Sequence, residues 1–147
     1  MADWTTSDIP TQRGRTAVIT GTGGLGFEDA LALARAGAQV IIAGRNPAKG
    51  NAAVERIRRN VAGAQVTFAP LDLASLDAVA AFGESLRGSH DRLDLLINNA
   101  AVMTPPQRLL TADGFELQFG TNYLGHFALT ARLLPLLRKS DQARVVS

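Results

Sequence analysis

The stretch Ala17-Val18-Ile19-Thr20-Gly21-Thr22-Gly23-Gly24-Leu25-Gly26 decides the fold. Ala17-Val18-Ile19 is an apolar run suited to a buried strand, Thr20–Gly26 is a turn dense in glycine, and Phe27 to Ala36 is patterned as a helix. A strand, a glycine turn and a helix start in that order make an anion-binding turn. The glycines let backbone N–H groups approach a phosphate, and the helix N-terminus adds partial positive charge. Gly21-x-Gly23-x-x-Gly26 also has the spacing of the dinucleotide fingerprint. Its three glycines would serve the tight turn, the approach to pyrophosphate and the helix–strand packing. With 14 glycines in the chain such a spacing can arise by chance, so the βαβ context carries the weight.

That context extends outward in both directions. Residues 1–15 carry no periodic pattern and read as an N-terminal arm, followed by one domain over residues 16–147. Further strands are expected at Gln39–Ala43, Gln65–Ala69, Asp94–Asn98 and Arg144–Ser147, after the first at Thr16–Thr20. Val40-Ile41-Ile42 and Leu95-Leu96-Ile97 are continuously apolar, as parallel strands covered on both faces are. Helix spacing fills the gaps: Phe27, Leu31 and Ala34 share a face, as do Val54, Ile57 and Val61, and Val79, Phe82 and Leu86. Asn46-Pro47 supplies an N-cap and a first-turn proline, and Gly37, Gly63 and Gly88 mark helix ends. Asp113-x-x-Glu116 resembles a capping box that opens a long helix to about Arg138, with Pro135 kinking its last turns. That helix is apolar nearly all round, so one face is expected on the sheet and the other is open to a second subunit, giving a homo-oligomer through residues 113–138. Five strands alternating with four helices predict an α/β fold. It is a doubly wound parallel sheet (Rossmann fold) in three α/β/α layers, with strand order 3-2-1-4-5.

Composition narrows the function. Hydrophobic residues at 46% and charged residues at 19% describe a globular chain. The net charge of +2 comes from scattered Lys and Arg with no basic block, which argues against nucleic acid as a partner. The absence of cysteine excludes disulfides and thiolate metal sites. His90 and His126 lack a set of co-ligands, so no metal is expected, and His126 is expected to pack or bond within its helix. The start Met1-Ala2-Asp3-Trp4 has no signal-peptide core and no run reaches the ~20 apolar residues of a bilayer span, so no membrane partner and a cytoplasmic location are expected.

Several positions could carry chemistry. Arg45 stands at the end of the second strand, where an acidic residue would bind the ribose 2′-hydroxyl of NAD. Its fork of donors instead suits a 2′-phosphate, which favours NADP over the alternative of a solvated loop arginine. Asp72 follows the third strand and could accept from an adenine amino group, or cap the helix beginning near Ser75. Asn98-Asn99-Ala100-Ala101 ends the fourth strand, either as a polar anchor beside a ligand or as an Asn turn. Asn122 is a polar residue within an apolar helix, which a structural hydrogen bond would also explain.

In register, these segments resemble the short-chain dehydrogenases/reductases, in the branch with retinol dehydrogenase-like and protochlorophyllide reductase-like members. The resemblance rests on Val18-Ile19-Thr20-Gly21 and the glycine turn, Ala43-Gly44-Arg45-Asn46, Leu71-Asp72-Leu73, Asn98-Asn99-Ala100 and Thr121-Asn122-Tyr123-Leu124-Gly125-His126-Phe127. It implies an NADP(H)-dependent oxidoreductase moving a hydride between nicotinamide and a small-molecule carbonyl or alcohol. By that resemblance Gly21, Thr22, Gly23, Gly24, Leu25 and Gly26 hold pyrophosphate and ribose, and Arg45 with Asn46 takes the 2′-phosphate. Asp72 and Leu73 hold adenine, Asn99, Ala100 and Ala101 line the cofactor's ribose, and Asn122 supports the family's proton relay.

Three departures stand out. Only Thr22 and Gly23 separate Gly21 from Gly24, one residue fewer than in the family's turn, and Ala101 replaces its usual glycine. The family's catalytic serine, tyrosine and lysine match no residue here. Arg144-Val145-Val146-Ser147 looks like the strand before that serine, and Tyr123 has no lysine four residues on. The C-terminal part of the fold is therefore expected to be missing, and these 147 residues alone are expected not to turn over substrate. The alternatives are a non-catalytic NADP(H)-binding module, or another Rossmann enzyme such as a methyltransferase, against which Arg45 argues.

Overall fold

A computed structural model describes residues 3–147; Met1 and Ala2 of the expected N-terminal arm lie outside the described residues. Five strands form one parallel sheet: β1 (Thr16–Thr20), β2 (Gln39–Gly44), β3 (Val66–Pro70), β4 (Leu95–Ile97) and β5 (Arg144–Val146). Their order is β3-β2-β1-β4-β5, as predicted. The register runs Val18 beside Ile41 and Leu96, with Ile41 beside Thr67 and Leu96 beside Val145.

Alternation within the apolar runs builds two cores. Val18, Ile41, Ala43 and Leu96 face helices α3 (Leu76–Ser89) and α4 (His126–Leu137), meeting Val79, Phe82, Leu86, Leu129 and Leu133. Ile19, Val40, Ile42 and Val66 face α1 (Gly24–Arg35) and α2 (Pro47–Asn60), meeting Phe27, Ala30, Leu31, Val54 and Ile57. Neighbouring strand residues point to opposite faces, so a run such as Val40-Ile41-Ile42 must be apolar throughout to serve both layers. Where backbone passes close to a side chain, glycine is required: a Cβ on Gly50 of α2 would strike the Phe68 ring of β3.

Short polar side chains set the helix starts. Asn46 accepts from the Lys49 N–H at 3.0 Å with Pro47 in the first turn, and Ser75 accepts from the Ala78 N–H at 3.3 Å. Helix α3 continues through Gly88 to Ser89, one residue past its expected stop, and the Ser89 hydroxyl bonds back to the Ser85 carbonyl at 2.8 Å.

The long helix expected from Asp113 differs from the reading. Helical backbone starts after Glu116, and the first turns, Phe119–Gly125, are π-helical before α4 begins at His126. The cause is a different pairing of the two carboxylates. Asp113 crosses to α3 and accepts from the Leu76 N–H at 2.9 Å, while Glu116 accepts from the Gln118 and Phe119 N–H groups at 3.0 and 2.8 Å. Those two bonds, with the attraction of Arg108, hold the Glu116 carboxyl below its usual range. Helix α4 runs through Pro135 and ends two residues later. Phe119, Tyr123 and Phe127 form an exposed stripe in which successive ring centroids lie 5.4 and 6.5 Å apart. Among the described residues, no helix is long and apolar enough to cross a membrane.

Asp94 ties the lower end of the sheet together. Its buried carboxylate accepts from the Thr16 N–H at 2.8 Å and the Ser140 hydroxyl at 2.7 Å, and it pairs with Arg92 at 3.4 Å. Burial is the largest influence and raises its pKa. The bonds from Ser140 and Thr16 and the charges of Arg92 and Arg15 outweigh it together and leave the carboxyl below its usual range. The stability this contributes is present above the unfolded-chain value of about pH 4 and is lost as pH falls through the lowered folded value. Asp94→Ala strands the Thr16 N–H in the interior and is expected to cost about 2–3 kcal/mol, read as a lower midpoint in urea unfolding.

Candidate functional site

The carboxyl ends of β1, β2 and β4 and the loops that follow them enclose a cleft of about 480 Å³. It is lined by Gly21, Thr22, Gly23 and Leu25 of the glycine turn, Arg45, Asn46 and Lys49 at the start of α2, Leu73 after β3, and Asn99 to Val102 after β4. Arg45 and Lys49 are the charged members of this lining, and no carboxylate accompanies them.

In the turn, Gly21, Gly24 and Gly26 each have a separate cause. Gly21 has φ +101°, and a Cβ there would lie 2.7 Å from Asn99 Nδ2. Gly26, buried in the first turns of α1, faces the same amide and the Gly21 carbonyl. Gly24 has φ +56°, which only glycine adopts without strain. Gly23 is extended, and a Cβ on it would meet nothing of the protein within 4 Å, so neither backbone nor packing demands glycine there. The space over Gly23 and Gly24, at the N-terminus of α1, suits an anion held by backbone N–H groups. Thr22 packs its methyl against Gly44 at the end of β2, where a Cβ would come within 2.8 Å.

Behind this turn, Thr20 joins β1 to β4. Its hydroxyl lies 2.9 Å from the Asn99 N–H, 3.0 Å from the Ala100 N–H and 2.8 Å from His126 Nε2. Its carbonyl accepts from Asn99 Nδ2 at 2.9 Å. The Asn99 side chain is thus a brace between the glycine turn and β4, while Asn98 donates to the Thr130 and Ser147 hydroxyls at 3.3 and 3.2 Å. Asn122 clasps the Val102 backbone on both sides: Oδ1 accepts from its N–H and Nδ2 donates to its carbonyl, each at 2.8 Å. That is the structural hydrogen bond weighed from the sequence, and it crosses to another element instead of closing within the helix.

The site residues named from sequence therefore separate into groups. Gly21, Thr22, Gly23, Leu25, Arg45, Asn46, Leu73, Asn99, Ala100 and Ala101 line one cleft. Gly24 borders the adjoining hollow with Thr22, Gly23 and Lys49, and Gly26 supports the turn from below. Asp72 stands outside the cleft lining and accepts from the Ala74 N–H at 2.9 Å, closing a turn before α3, whose cap is Ser75. Asn122 borders a second hollow beyond Ala101, with Tyr123, His126, Phe127 and Ser147.

Sequence reasoning missed Lys49 and Thr121. Lys49 follows Arg45 by four residues, and a reading of α2 as one turn of helix from its Asn46 cap would have brought it beside Arg45. Thr121 is buried in the cleft wall, with a hydroxyl that has no partner among the described residues. Nothing in its one-letter neighbourhood signals that.

His126 is buried, and burial lowers its pKa below the usual histidine value, opposed by its bond to the Asn122 carbonyl. The folded state thus prefers the neutral ring. The stability this gives is present above about pH 6.5 and is lost as pH falls from there through the lower folded value.

The family model described as short chain dehydrogenase matches residues 15–147. A polyprenol dehydrogenase of Danio rerio is 46% identical over 136 residues, covering 92% of this chain and 42% of the relative. Retinol dehydrogenase 12 of Mus musculus is 46% identical over 135 residues, covering 91% and 42%. A crystal structure of a short chain dehydrogenase from Escherichia coli CFT073, complexed with NADPH, superposes with a TM-score of 0.78 at 28% identity, covering 90% of this chain and 57% of that one. The chain spans about two-fifths of the length of the curated relatives it matches.

The glycines can be told apart by stability. Gly21→Ala forces a side chain into positive φ against Asn99 and is expected to cost about 1–3 kcal/mol, whereas Gly23→Ala should change the unfolding free energy by less than about 0.5 kcal/mol in the same urea titration.

Proposed function

The chain belongs to the short-chain dehydrogenase family, and we propose that the whole protein is an NADP(H)-dependent oxidoreductase of that type, acting on a carbonyl/alcohol pair. One observation carries this: the glycine turn, the Arg45 and Lys49 pair and the Asn99–Val102 wall converge on a single cleft at the carboxyl edge of the sheet. Ligands of open parallel sheets lie at that edge.

The residues present fit the cofactor. The free space over Gly23 and Gly24 at the start of α1 suits the pyrophosphate, with Thr22 and Leu25 beside it. Arg45 and Lys49 at the mouth suit a 2′-phosphate, and Asn46, already spent as the α2 cap through Oδ1, has its amide N–H left to offer. Leu73 suits the adenine side; Asp72, committed through one oxygen to Ala74, keeps the other for an adenine amino group. Asn99, Ala100 and Ala101 suit the nicotinamide ribose. When bound, the nicotinamide would supply or accept the hydride.

Asn122 is given a supporting role, because its two bonds to Val102 hold the wall that separates the cofactor cleft from the hollow of Tyr123, His126 and Ser147. The names of the polyprenol and retinol dehydrogenases support an alcohol as one member of the substrate pair. The complex of the E. coli relative supports NADP(H) as the cofactor. The aromatic stripe of Phe119, Tyr123 and Phe127 supports a homo-oligomer through residues 113–138.

Charge-assisted bonds to the 2′-phosphate are worth about 1.5–3 kcal/mol, a preference of about ten- to a hundredfold. Isothermal titration is expected to show NADPH binding more tightly than NADH by that factor, with Arg45→Ala removing most of the difference. Equal affinities in the unmutated protein would defeat the role given to Arg45. Gly23→Ala, folded as the wild type, is expected to bind neither nucleotide at full strength.

A further inference from the structure

The Thr20 hydroxyl has more neighbours than it can serve freely, and counting them assigns a proton. Two backbone N–H groups, of Asn99 and Ala100, point at it from 2.9 and 3.0 Å, and these can only donate. A hydroxyl has one hydrogen and two lone pairs. Both lone pairs are taken by the amides, so the hydrogen must go to an acceptor. The candidates are His126 Nε2 at 2.8 Å and the Ile97 carbonyl at 3.4 Å, and the shorter contact decides for the ring. Nε2 therefore carries no hydrogen. The other nitrogen, Nδ1, lies 2.9 Å from the Asn122 carbonyl, which can only accept, so Nδ1 is the N–H. The structure assigns His126 as a neutral Nδ1–H imidazole by hydrogen-bond bookkeeping alone.

We propose that His126 is a positioning residue for the cofactor cleft: by accepting the Thr20 hydrogen it leaves both Thr20 lone pairs to the Asn99 and Ala100 amides, and so holds the wall on which the cofactor's ribose would rest. This rests on the cofactor reading given above. A proton on Nε2 would put a third donor on Thr20 Oγ1, which has only two lone pairs. One of the two amide bonds must then open, or the ring must turn and also abandon Asn122. Either way the segment Asn99–Val102 loses one of its fixed points, and cofactor binding becomes coupled to that protonation.

The surroundings leave His126 as the titrating group. The hollow beside the ring is lined from the β4 end by Asn98 to Ala101, from the π-helical turns by Asn122 and Tyr123, from α4 by Phe127 and Thr130, and from β5 by Val145 and Ser147. Tyr123 is the other ionisable side chain in that lining. Thr20 faces it from the end of β1, and its hydroxyl does not titrate in this range. Among the described residues, no Asp, Glu, Lys or Arg side chain lines this hollow.

The test has a direct arm and a binding arm. In ¹⁵N-resolved NMR of the unmutated protein, the His126 ring is expected to show the Nδ1–H tautomer at pH 7.5. The amide protons of Asn99 and Ala100 should titrate with that ring as pH falls. A ring with hydrogen on Nε2 at pH 7.5, or amides that ignore the ring's titration, would overturn the proposal without reference to any cofactor. In the binding arm, NADP⁺ affinity is followed from pH 7.5 to 5.5 in wild type, His126→Gln and His126→Leu. Gln keeps an acceptor near Nε2 but does not titrate, whereas Leu supplies none. His126→Leu should weaken binding about fivefold at every pH, the worth of one net hydrogen bond. His126→Gln should recover most of that loss, and wild type should weaken about fivefold more than His126→Gln on acidification. The 2′-phosphate titrates in this range too. It does so in both proteins and cancels in their comparison. Identical pH profiles for wild type and His126→Gln would sink the His126 role alone, while no NADP⁺ binding at pH 7.5 beside the expected NMR titration would sink the cofactor reading alone.

Discussion

Thr20 is the last residue of β1, and the molecule's upper edge depends on what its two oxygens hold. The carbonyl takes the Asn99 side chain and the hydroxyl takes two backbone amides of the segment after β4. Asn99 in turn lies over Gly21 and Gly26, so that the glycine turn, the start of α1 and the end of β4 share one amide group. Buried polar atoms need their partners, since leaving one unmet costs about 1–3 kcal/mol. Each of these pieces is therefore fixed by the others. The cleft between them has walls of definite position before any ligand arrives, which reduces the ordering cost of binding.

The opposite edge of the sheet is held differently. There a single carboxylate, Asp94, gathers the Thr16 N–H, the Ser140 hydroxyl and the Arg92 guanidinium. Charge serves where strands begin, and neutral hydrogen bonds serve where they end. The cleft is thereby left with Arg45 and Lys49 as its charged residues, and no carboxylate in the lining competes with an anion.

The strands were legible in the sequence because each apolar run must satisfy two helical layers at once, and few other patterns do. The glycine turn was legible because backbone conformation and close approach leave residue type little freedom at Gly21, Gly24 and Gly26. Arg45 and Asn46 were legible through their position after β2. The helix after residue 113 was misread for a local reason: Asp113 and Glu116 have capping-box spacing, but Asp113 finds its N–H on α3, 37 residues back in the chain. A spacing rule sees partners nearby and is blind to a better one brought in by the fold. Asp72 was read as an adenine acceptor or as the cap of the helix beginning near Ser75, but Ser75 itself caps α3 and Asp72 takes the Ala74 N–H in the turn before it.

By itself the sequence determined the sheet, its order, the glycine turn and the basic residue beside it, since these follow from periodicity, backbone sterics and charge over short spans. It also carried the family membership, through several motifs in register. Only the tertiary structure decided that Lys49 and Thr121 join the cleft, that Asn122 bonds to Val102, and that His126 meets Thr20 across 106 residues of chain. Hydrogen bonds between distant residues have no spacing to read. They exist because a closed interior favours pairing most polar atoms with whatever partner the packing has brought within about 3 Å.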